Sequence, residues 1–313
     1  MELFGAKLQY EAAMKYYKGS GQGYTRNRRK AFKLFQEAAE AGLVDAMVML
    51  SDMYFKGEGC QRNEKEGLKW LEEAASNGNA EAQYKIGLIY IQKTHKWHGC
   101  EWLEKAATQG YVKAMLELGE QYIGFDNNKA IHWLSQPALI YNPRAIYLLA
   151  EACEEQEKKE LEKNLLDEIY DDFGELISPK FDETKWLEHK QEEIENYQPS
   201  KKVKSLYKKA LQLYEQEASF GNWECVLEVA NMYLHGIGTE IDYQVAFQYY
   251  YHLANQPKGD NKGNDKEFYR ESAIIKLAKM YELGLGCEQS ISKCEELMNQ
   301  LNIDKEWFKN MVL

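Results

Sequence analysis

Small and apolar residues recur at helical spacing along most of this 313-residue chain. A nine-residue motif, small-x-x-x-aliphatic-small-x-x-Tyr, is found at 46–54, 82–90, 114–122, 225–233 and 273–281. Its recurrent residues stand at positions one, five, six and nine, which lie on one side of an α-helix. Each copy therefore predicts a helix whose small residues let a neighbouring helix approach closely.

A second helical pattern alternates with this motif and ends in glycine. It reads KAFKLFQEAAEAG to Gly42, EGLKWLEEAASNG to Gly78, HGCEWLEKAATQG to Gly110 and KALQLYEQEASFG to Gly221. The first two gaps between these glycines are 36 and 32 residues, and the third is 111 residues, or three units of 37. The spacing predicts degenerate repeats between Gly110 and Gly221.

Glycine-rich turns separate the two kinds of helix, at KGSG (18–21), KGEG (56–59), HGIG (235–238) and LGLG (283–286). Glycine adopts a positive φ without a Cβ clash, so it can end a helix and redirect the chain. The predicted structural glycines are Gly42, Gly57, Gly59, Gly78, Gly110, Gly221, Gly236, Gly238, Gly284 and Gly286. Because one helical pair cannot bury its apolar face alone, the sequence predicts an all-α solenoid of stacked antiparallel helix pairs.

These residues resemble the Sel1-like repeats, which are relatives of the tetratricopeptide repeats. The family pattern is A-x-x-x-L-G-x-x-Y-x-x-G-x-G, followed by K-A-x-x-W-x-x-K-A-A-x-x-G. One repeat matches it at Ala82, Ile86, Gly87, Tyr90, Trp102, Ala106, Ala107 and Gly110. Another matches it at Ala46, Leu50, Tyr54, Gly57, Gly59, Trp70, Ala74, Ala75 and Gly78. The resemblance covers most of the chain and implies a right-handed superhelix, TPR-like, with a concave groove lined by the first helices.

The pattern divides the chain into one array. The predicted repeats are 2–42, 43–78, 79–110, 111–142, a degenerate acidic repeat or insertion at 143–182, then 183–221, 222–257 and 266–302, with a capping helix at 303–313. In the fourth repeat Pro137 stands where other repeats have alanine, so its second helix should end near Ser135. We expect 184–197 to form a first helix that packs against 202–221, and loops around Ser178 and at 256–265.

The formal net charge of −11 argues against nucleic acid as a partner, because a phosphate backbone requires a basic surface. Residues 154–197 hold 16 acidic and 6 basic residues, and the remainder is nearly neutral. This acidic segment either steers a basic partner or only keeps the array in solution.

Two motifs raise the question of ligand chemistry. GSGQG (19–23) has the spacing of a phosphate loop, but it follows a helix rather than a strand and coincides with a repeat turn. His95, His98 and Cys100 are weak zinc candidates, with Glu101 as a fourth ligand, whereas the repeat alignment makes Cys100 a packing residue. No catalytic constellation has supporting context, so we predict no metal, no cofactor and no enzymatic activity.

The six cysteines are irregularly spaced and favour free thiols in a reducing compartment. Some secreted relatives of the Sel1-like family carry a disulfide in each repeat, and this resemblance makes Cys287 and Cys294 the candidate pair. The sequence leaves open whether these two cysteines are bridged. No apolar run is long enough to span a membrane, and the first residues lack signal-peptide features. We expect a cytoplasmic protein, or a periplasmic or secreted one if a signal peptide has been removed.

Positions three and seven of the motif are four residues apart on one helical face and should point into the groove. We call these twelve residues the first-helix row: Val48, Asp52, Tyr84, Leu88, Leu116, Glu120, Tyr147, Glu151, Leu227, Asn231, Ile275 and Lys279. Such a mixture of apolar, aromatic and charged side chains suits a protein or peptide partner. The alternative is that several of them only fill a curved core.

The sequence therefore predicts a monomeric, non-enzymatic adaptor or scaffold that binds another protein, and the acidic segment would suit a basic partner. A second hypothesis is an immunity or inhibitor protein that occludes a toxic enzyme, since an acidic surface would suit capture of a basic toxin. The third is an enzyme or metalloprotein built on the array.

Overall fold

All regular secondary structure in the described part of the chain is helical. A computed structural model describes residues 2–19, 25–93, 95–136, 139–167, 191–193, 196–257, 265–311 and 313. Fifteen α-helices are described, residues 191–193 are also helical, and none of the described residues lies in a strand. The chain divides into two compact units, 1–122 and 123–313, which are described separately.

The first unit contains seven helices among the described residues. They are α1 Glu2–Lys18, α2 Arg28–Glu40, α3 Val44–Lys56, α4 Glu64–Ser76, α5 Ala80–Gln92, α6 Lys96–Thr108 and α7 Val112–Tyr122. Consecutive helices from α1 to α7 pack against one another in order. The result is a stack of antiparallel pairs, in which α1, α3, α5 and α7 are first helices and α2, α4 and α6 are second helices.

The second unit contains eight described helices. They are α8 Asn127–Leu134, α9 Pro143–Asp167, α10 Lys201–Ser219, α11 Trp223–His235, α12 Tyr243–Ala254, α13 Asp265–Leu283, α14 Ile291–Leu301 and α15 Lys305–Lys309. Consecutive helices from α8 to α14 pack in order, and α11 also contacts α13. The first helices α9, α11 and α13 thus follow one another, and the predicted all-α solenoid of stacked helix pairs is confirmed.

The nine-residue motif supplies the core of each pair. Its first and fifth residues are almost fully buried in every copy. They are Ala46 and Leu50, Ala82 and Ile86, Ala114 and Leu118, Cys225 and Val229, and Ala273 and Leu277. Their exposed fractions are at most 4%. The small sixth residue is buried too, which lets the partner helix pack close to the backbone.

The turn between the two helices of a pair is closed by a repeated backbone hydrogen bond. The residue that caps the second helix donates its N–H to the carbonyl of the motif tyrosine, as in Asn63 to Tyr54 at 3.0 Å and Asp242 to Tyr233 at 3.0 Å. The capping side chain then accepts an N–H from the first turn of the second helix, as Asp242 does from Val245. Position nine of the motif is therefore linked directly to the start of the next helix.

The two glycines of each turn have different roles. Gly236 ends α11 in the left-handed region, at φ 70°, which explains a glycine at that place. Gly238 lies against the preceding second helix, where an added Cβ would be 2.6 Å from the carbonyl oxygen of Tyr207. The second glycine is therefore required both for its φ of 73° and for contact between repeats.

The third repeat lacks this turn and joins its helices differently. Only residues 93–95 separate α5 from α6. Gly87 and Gly99 compensate, because they bring the two backbones together: a Cβ at Gly99 would lie 2.6 Å from the Gly87 carbonyl oxygen. Larger residues at these positions would push α5 and α6 apart.

One expectation for the middle of the chain is confirmed, and another falls mostly outside the described residues. Helix α8 ends at Leu134 with Ser135 as its cap, which confirms the early stop expected from Pro137. Helix α10 packs against α9 and α11. The sequence had assigned its partner to 184–197, and most of that segment lies outside the described residues. The described partner is α9, which is 25 residues long.

Several other predicted segments also fall wholly or partly outside the described residues. They are the end of the acidic repeat at 143–182, the loop around Ser178, most of GSGQG and most of the loop at 256–265. At the C-terminus, α15 packs its buried Phe308 onto the core formed by α11 to α14.

Candidate partner-binding face

The first-helix row lies on α3, α5, α7, α9, α11 and α13, but its members differ in exposure. Most are half-buried, Glu120 is exposed, and three are buried within the chain: Val48, Leu227 and Lys279. Val48 and Leu227 belong to the cores of their units. These two are packing residues, which corrects their assignment as partner contacts.

Lys279 is buried for a different reason. Its ammonium group lies 2.7 Å from Glu282 and 3.4 Å from the backbone carbonyl of Phe308 in α15. The aromatic ring of Phe308 also lies under the ammonium group, at 5.0 Å. The terminal helix therefore covers position seven of the last repeat, so Lys279 is removed from the predicted contacts.

In the first unit, position seven of one repeat pairs with position four of the next. Asp52 on α3 lies 2.8 Å from Lys85 on α5, and Glu81 lies 2.9 Å from the same ammonium group. Burial by itself lowers the pKa of Lys85, but the hydrogen bonds that its ammonium group donates to Asp52 and Glu81 outweigh burial and raise the pKa. This part of the row is electrostatically satisfied within the chain.

Aromatic and apolar side chains continue the same face. The ring of Tyr84 packs on that of Tyr111, with centroids 5.3 Å apart, and stays half-buried. Burial, followed by the charge of Glu117, raises the pKa of its hydroxyl. Leu88 and Leu116 are also half-buried. Each of these side chains has surface left for a partner to cover.

In the second unit, Tyr147 on α9 lies in an acidic environment. Its ring meets that of Tyr207 edge to face, with centroids 5.4 Å apart. Its pKa is raised first by burial and then by the charges of Glu151, Glu228 and Glu154. Tyr207 donates its hydroxyl to Glu154 at 2.8 Å.

Glu228, on α11, is a half-buried carboxyl group of this face. Burial raises its pKa, while Asn231 and Arg144 act in the opposite direction. The side chain of Asn231 is fixed in place, because Tyr250 donates a hydrogen bond from its hydroxyl to the amide oxygen of Asn231 at 2.6 Å. Glu228 and Tyr147 thus form an acidic, partly apolar patch between α9 and α11.

Sequence reasoning missed position four of the motif. It holds Lys85, Glu117, Glu228 and Lys276 in four of the five copies, and each is half-buried on the same helices as the row. Positions four and seven are three residues apart and therefore share a face. A charged residue at position four of an otherwise apolar motif was the available signal.

The weak zinc candidates are not brought together. Cys100 is buried in the helix pair, the Nδ1 atom of His95 contacts the Lys93 carbonyl at 2.8 Å, and that of His98 contacts Glu101 at 3.2 Å. The two imidazoles instead pack on the ring of Tyr90. Within the described ranges no cluster of three His, Cys, Asp or Glu side chains is arranged to hold a metal ion.

All six cysteines are free thiols. Cys287 donates its thiol to the carbonyl of Met280 at 3.7 Å, and Cys60 does the same to Met53 at 3.6 Å. Cys294 is buried against the sulfur of Met298. Cys60 and Cys287 therefore repeat one structural role in two turns.

The helical pairs correspond to a known repeat. A family model described as Sel1 repeat matches residues 6–43, 44–79, 98–111, 112–136, 223–256 and 271–301, which together cover more than half of the chain. The chain belongs to the Sel1 repeat family. Proteins built from Sel1 repeats are in general protein-interaction modules. The Sel1 matches leave out α5 and the α9–α10 pair, which the structure nevertheless places within the stack.

One of the similar solved structures, a Sel1 repeat protein, agrees with this chain at the level of the fold. A Sel1 repeat protein from Oxalobacter formigenes is 19% identical, with a TM-score of 0.56 over 95% of this chain and 98% of that chain. A protective antigen from uropathogenic Escherichia coli is 19% identical over 97% of this chain and 70% of its own, with a TM-score of 0.43. An immunity protein from Pseudomonas aeruginosa is 19% identical over 67% of this chain and 82% of its own, with a TM-score of 0.27.

No curated protein matches the chain in sequence. Among the described residues, every helix is too short or too polar to cross a membrane.

Proposed function

We propose that this Sel1 repeat protein is a non-enzymatic adaptor or scaffold that binds another protein through its first helices. The observation that carries the proposal is the half-buried row of aromatic, apolar and charged side chains on those helices. Tyr84, Leu88 and Leu116 represent it in the first unit, and Tyr147 and Ile275 in the second. The proposal applies to the row within each unit.

The chemistry of these residues favours a protein partner. Tyrosine is enriched among the few residues that contribute most of the binding energy at protein interfaces, and neighbouring apolar side chains help to exclude water from them. Tyr84 and Tyr147 are already held on one side by Tyr111 and Tyr207. Little rotamer freedom is then lost on binding, which favours affinity.

A second candidate function is inhibition of a toxic enzyme, as an immunity protein would do. It is favoured by the acidic patch of Tyr147, Glu151 and Glu228, which suits a basic residue on the partner. The two functions require the same surface and differ in the partner. An inhibitor binds one enzyme and abolishes its activity, whereas an adaptor binds several partners or one component of a larger assembly.

The experiment that tests the proposal is partner capture from the native organism with three proteins: the natural chain, a Tyr84→Ala/Tyr147→Ala double variant, and a Phe220→Ala control. Phe220 is 76% exposed and follows a second helix. We expect the control to retain the partner and the double variant to lose it, at unchanged helical content. Retention by the double variant would contradict the proposal, and an activity assay on a single captured enzyme would separate inhibitor from adaptor.

A further inference from the structure

Lys276 is a charged residue without a countercharge. It lies on α13 at position four of the motif and is half-buried. No described acidic group forms an ion pair with it, and burial alone lowers its pKa. Leaving a partly desolvated ammonium group unpaired costs free energy, so its retention requires an explanation.

The repeat itself supplies the comparison. Lys85 occupies the same position of the second motif copy, where Asp52 from the preceding first helix and Glu81 one turn earlier both contact its ammonium group. The residues equivalent to these two acids beside Lys276 are Asn231 and Ser272. Both carboxylates are thus replaced by neutral side chains, while the lysine is kept.

The surroundings of Lys276 cannot supply the missing charge. The amide oxygen of Asn231 already accepts the hydroxyl of Tyr250 at 2.6 Å. His235 is a titratable neighbour of Lys276, and its pKa is lowered first by burial and then by the positive charge of Lys276. This part of the face is therefore locally positive, although the whole chain carries a net charge of −11.

We propose that Lys276 anchors the carboxylate of an aspartate or glutamate side chain on the partner protein. The partner's carboxylate then forms with Lys276 the kind of ion pair that Asp52 of this chain forms with Lys85. A carboxylate is the appropriate group, because the equivalent lysine is already held by two carboxylates in the same setting. The inference rests on the proposed function and names the chemistry that one end of the row recognises.

With Lys276 as an anchor, the charge on the face of the second unit changes sign along the row of first helices. The patch of Tyr147 and Glu228 is acidic, and Lys276 one first helix further along is basic. A partner that crosses α9, α11 and α13 must present a basic group and then an acidic one. Opposed charges of this kind fix the register and orientation of a bound segment.

The test uses three fluorescein-labelled twelve-residue peptides whose first half alternates leucine with lysine, to match the acidic patch, and whose second half alternates leucine with glutamate, glutamine or lysine. Their affinities for the natural protein are measured by fluorescence anisotropy at 50 mM and 300 mM sodium chloride. A charge-assisted hydrogen bond predicts roughly tenfold tighter binding of the glutamate peptide than of the glutamine peptide at low salt. The preference should shrink at high salt.

Three variants locate the effect. Lys276→Met should abolish the preference for glutamate, whereas Lys208→Met, which removes an exposed lysine from the second helix α10, should preserve it. Asn231→Asp and Ser272→Glu each restore one of the acids found around Lys85. Each should raise the urea midpoint of unfolding and reduce the glutamate preference, because Lys276 then has an internal partner.

Equal affinity for the glutamate and glutamine peptides, binding of neither, or a preference that survives Lys276→Met would overturn the inference. An unchanged preference in both Asn231→Asp and Ser272→Glu would do so as well. These outcomes are separate from the proposed function. If the tyrosine double variant loses the native partner while no peptide result depends on Lys276, the binding face stands and the anchor is rejected.

Discussion

Asp52 on α3 and Lys85 on α5 form a 2.8 Å ion pair that joins the first helices of two consecutive repeats. Both side chains are 28% exposed, so water only partly screens the pair. It shows how charges on this face are neutralised across the boundary between repeats. The face of the second unit, where Asn231 replaces the aspartate, lacks that neutralisation.

We predict that Asp52→Asn lowers the free energy of unfolding by about 1 kcal/mol. The pKa of Lys85 is raised in the folded protein, so its contribution is fully present below the usual lysine value of 10.5. The contribution is lost as the pH rises through the higher folded-state pKa. Urea unfolding of both proteins at pH 8 and pH 11 should therefore show a smaller difference at the higher pH.

The control for this prediction is Glu64→Gln. It removes the partner of Arg62 in an ion pair whose side chains are more than 60% exposed. Its stability should match that of the natural protein at both pH values. An equal loss of stability in the two variants would mean that Asp52 stabilises the protein only through its contribution to the net charge and not through the ion pair with Lys85.

Gly238→Ala should cost considerably more stability than Gly221→Ala. Both glycines have a positive φ, of 73° and 83°, so both variants incur about 1–2 kcal/mol of backbone strain. Only at Gly238 would the new Cβ meet a backbone carbonyl, that of Tyr207, at 2.6 Å. Urea unfolding measures both variants, and equal losses would show that Gly238 is needed for its φ alone.

Tyr233 should ionise unusually late in an alkaline titration. Burial and its hydrogen bond to Glu215, at 2.8 Å, raise its pKa to about 12. The stabilisation associated with this raised pKa is fully present below 10 and disappears as the pH passes about 12. Ultraviolet titration should show one late-ionising tyrosine fewer in Tyr233→Phe, and an earlier transition in Glu215→Gln. An unaltered titration curve in both variants would contradict the role of Glu215.

Thiol labelling should divide the cysteines by their environment. Burial, with nearby Glu224, Glu217 and Glu228, raises the pKa of Cys225 to about 12, so almost no reactive thiolate forms at pH 8. We expect iodoacetamide to modify the half-buried Cys60 and Cys287 first and Cys225 only after unfolding in urea. Mass spectrometry of the folded protein checks this. A mass lower by two hydrogens, or protection of Cys287 and Cys294 in urea without reductant, would reveal a disulfide instead.

Sequence periodicity predicted the core well because burial in a helix follows local spacing. Ala46, Leu50, Ala82 and Ile86 were assigned to the core from one motif, and all four are fully buried. The early end of α8 followed from the local chemistry of Pro137. Such features depend on residues within a few turns of one another.

Features that depend on distant segments could not be predicted in the same way. The described partner of α10 is α9. The sequence did not predict this pairing, because a long segment without a clear repeat separates the two helices. Gly238 was recognised for its positive φ, but not for its contact with Tyr207, because that contact requires the packed neighbour. Likewise, the covering of Lys279 by α15 and the pairing of Asp52 with Lys85 become visible only once the helices are stacked.

Hydrogen–deuterium exchange of the protein alone and with its captured native partner tests the partner-binding face most directly. We expect binding to protect the first helices that carry the row, above all α5, α9 and α11, and to leave the second helices α4, α6 and α10 unchanged. Protection confined to the second helices would contradict a partner-binding face on the first helices.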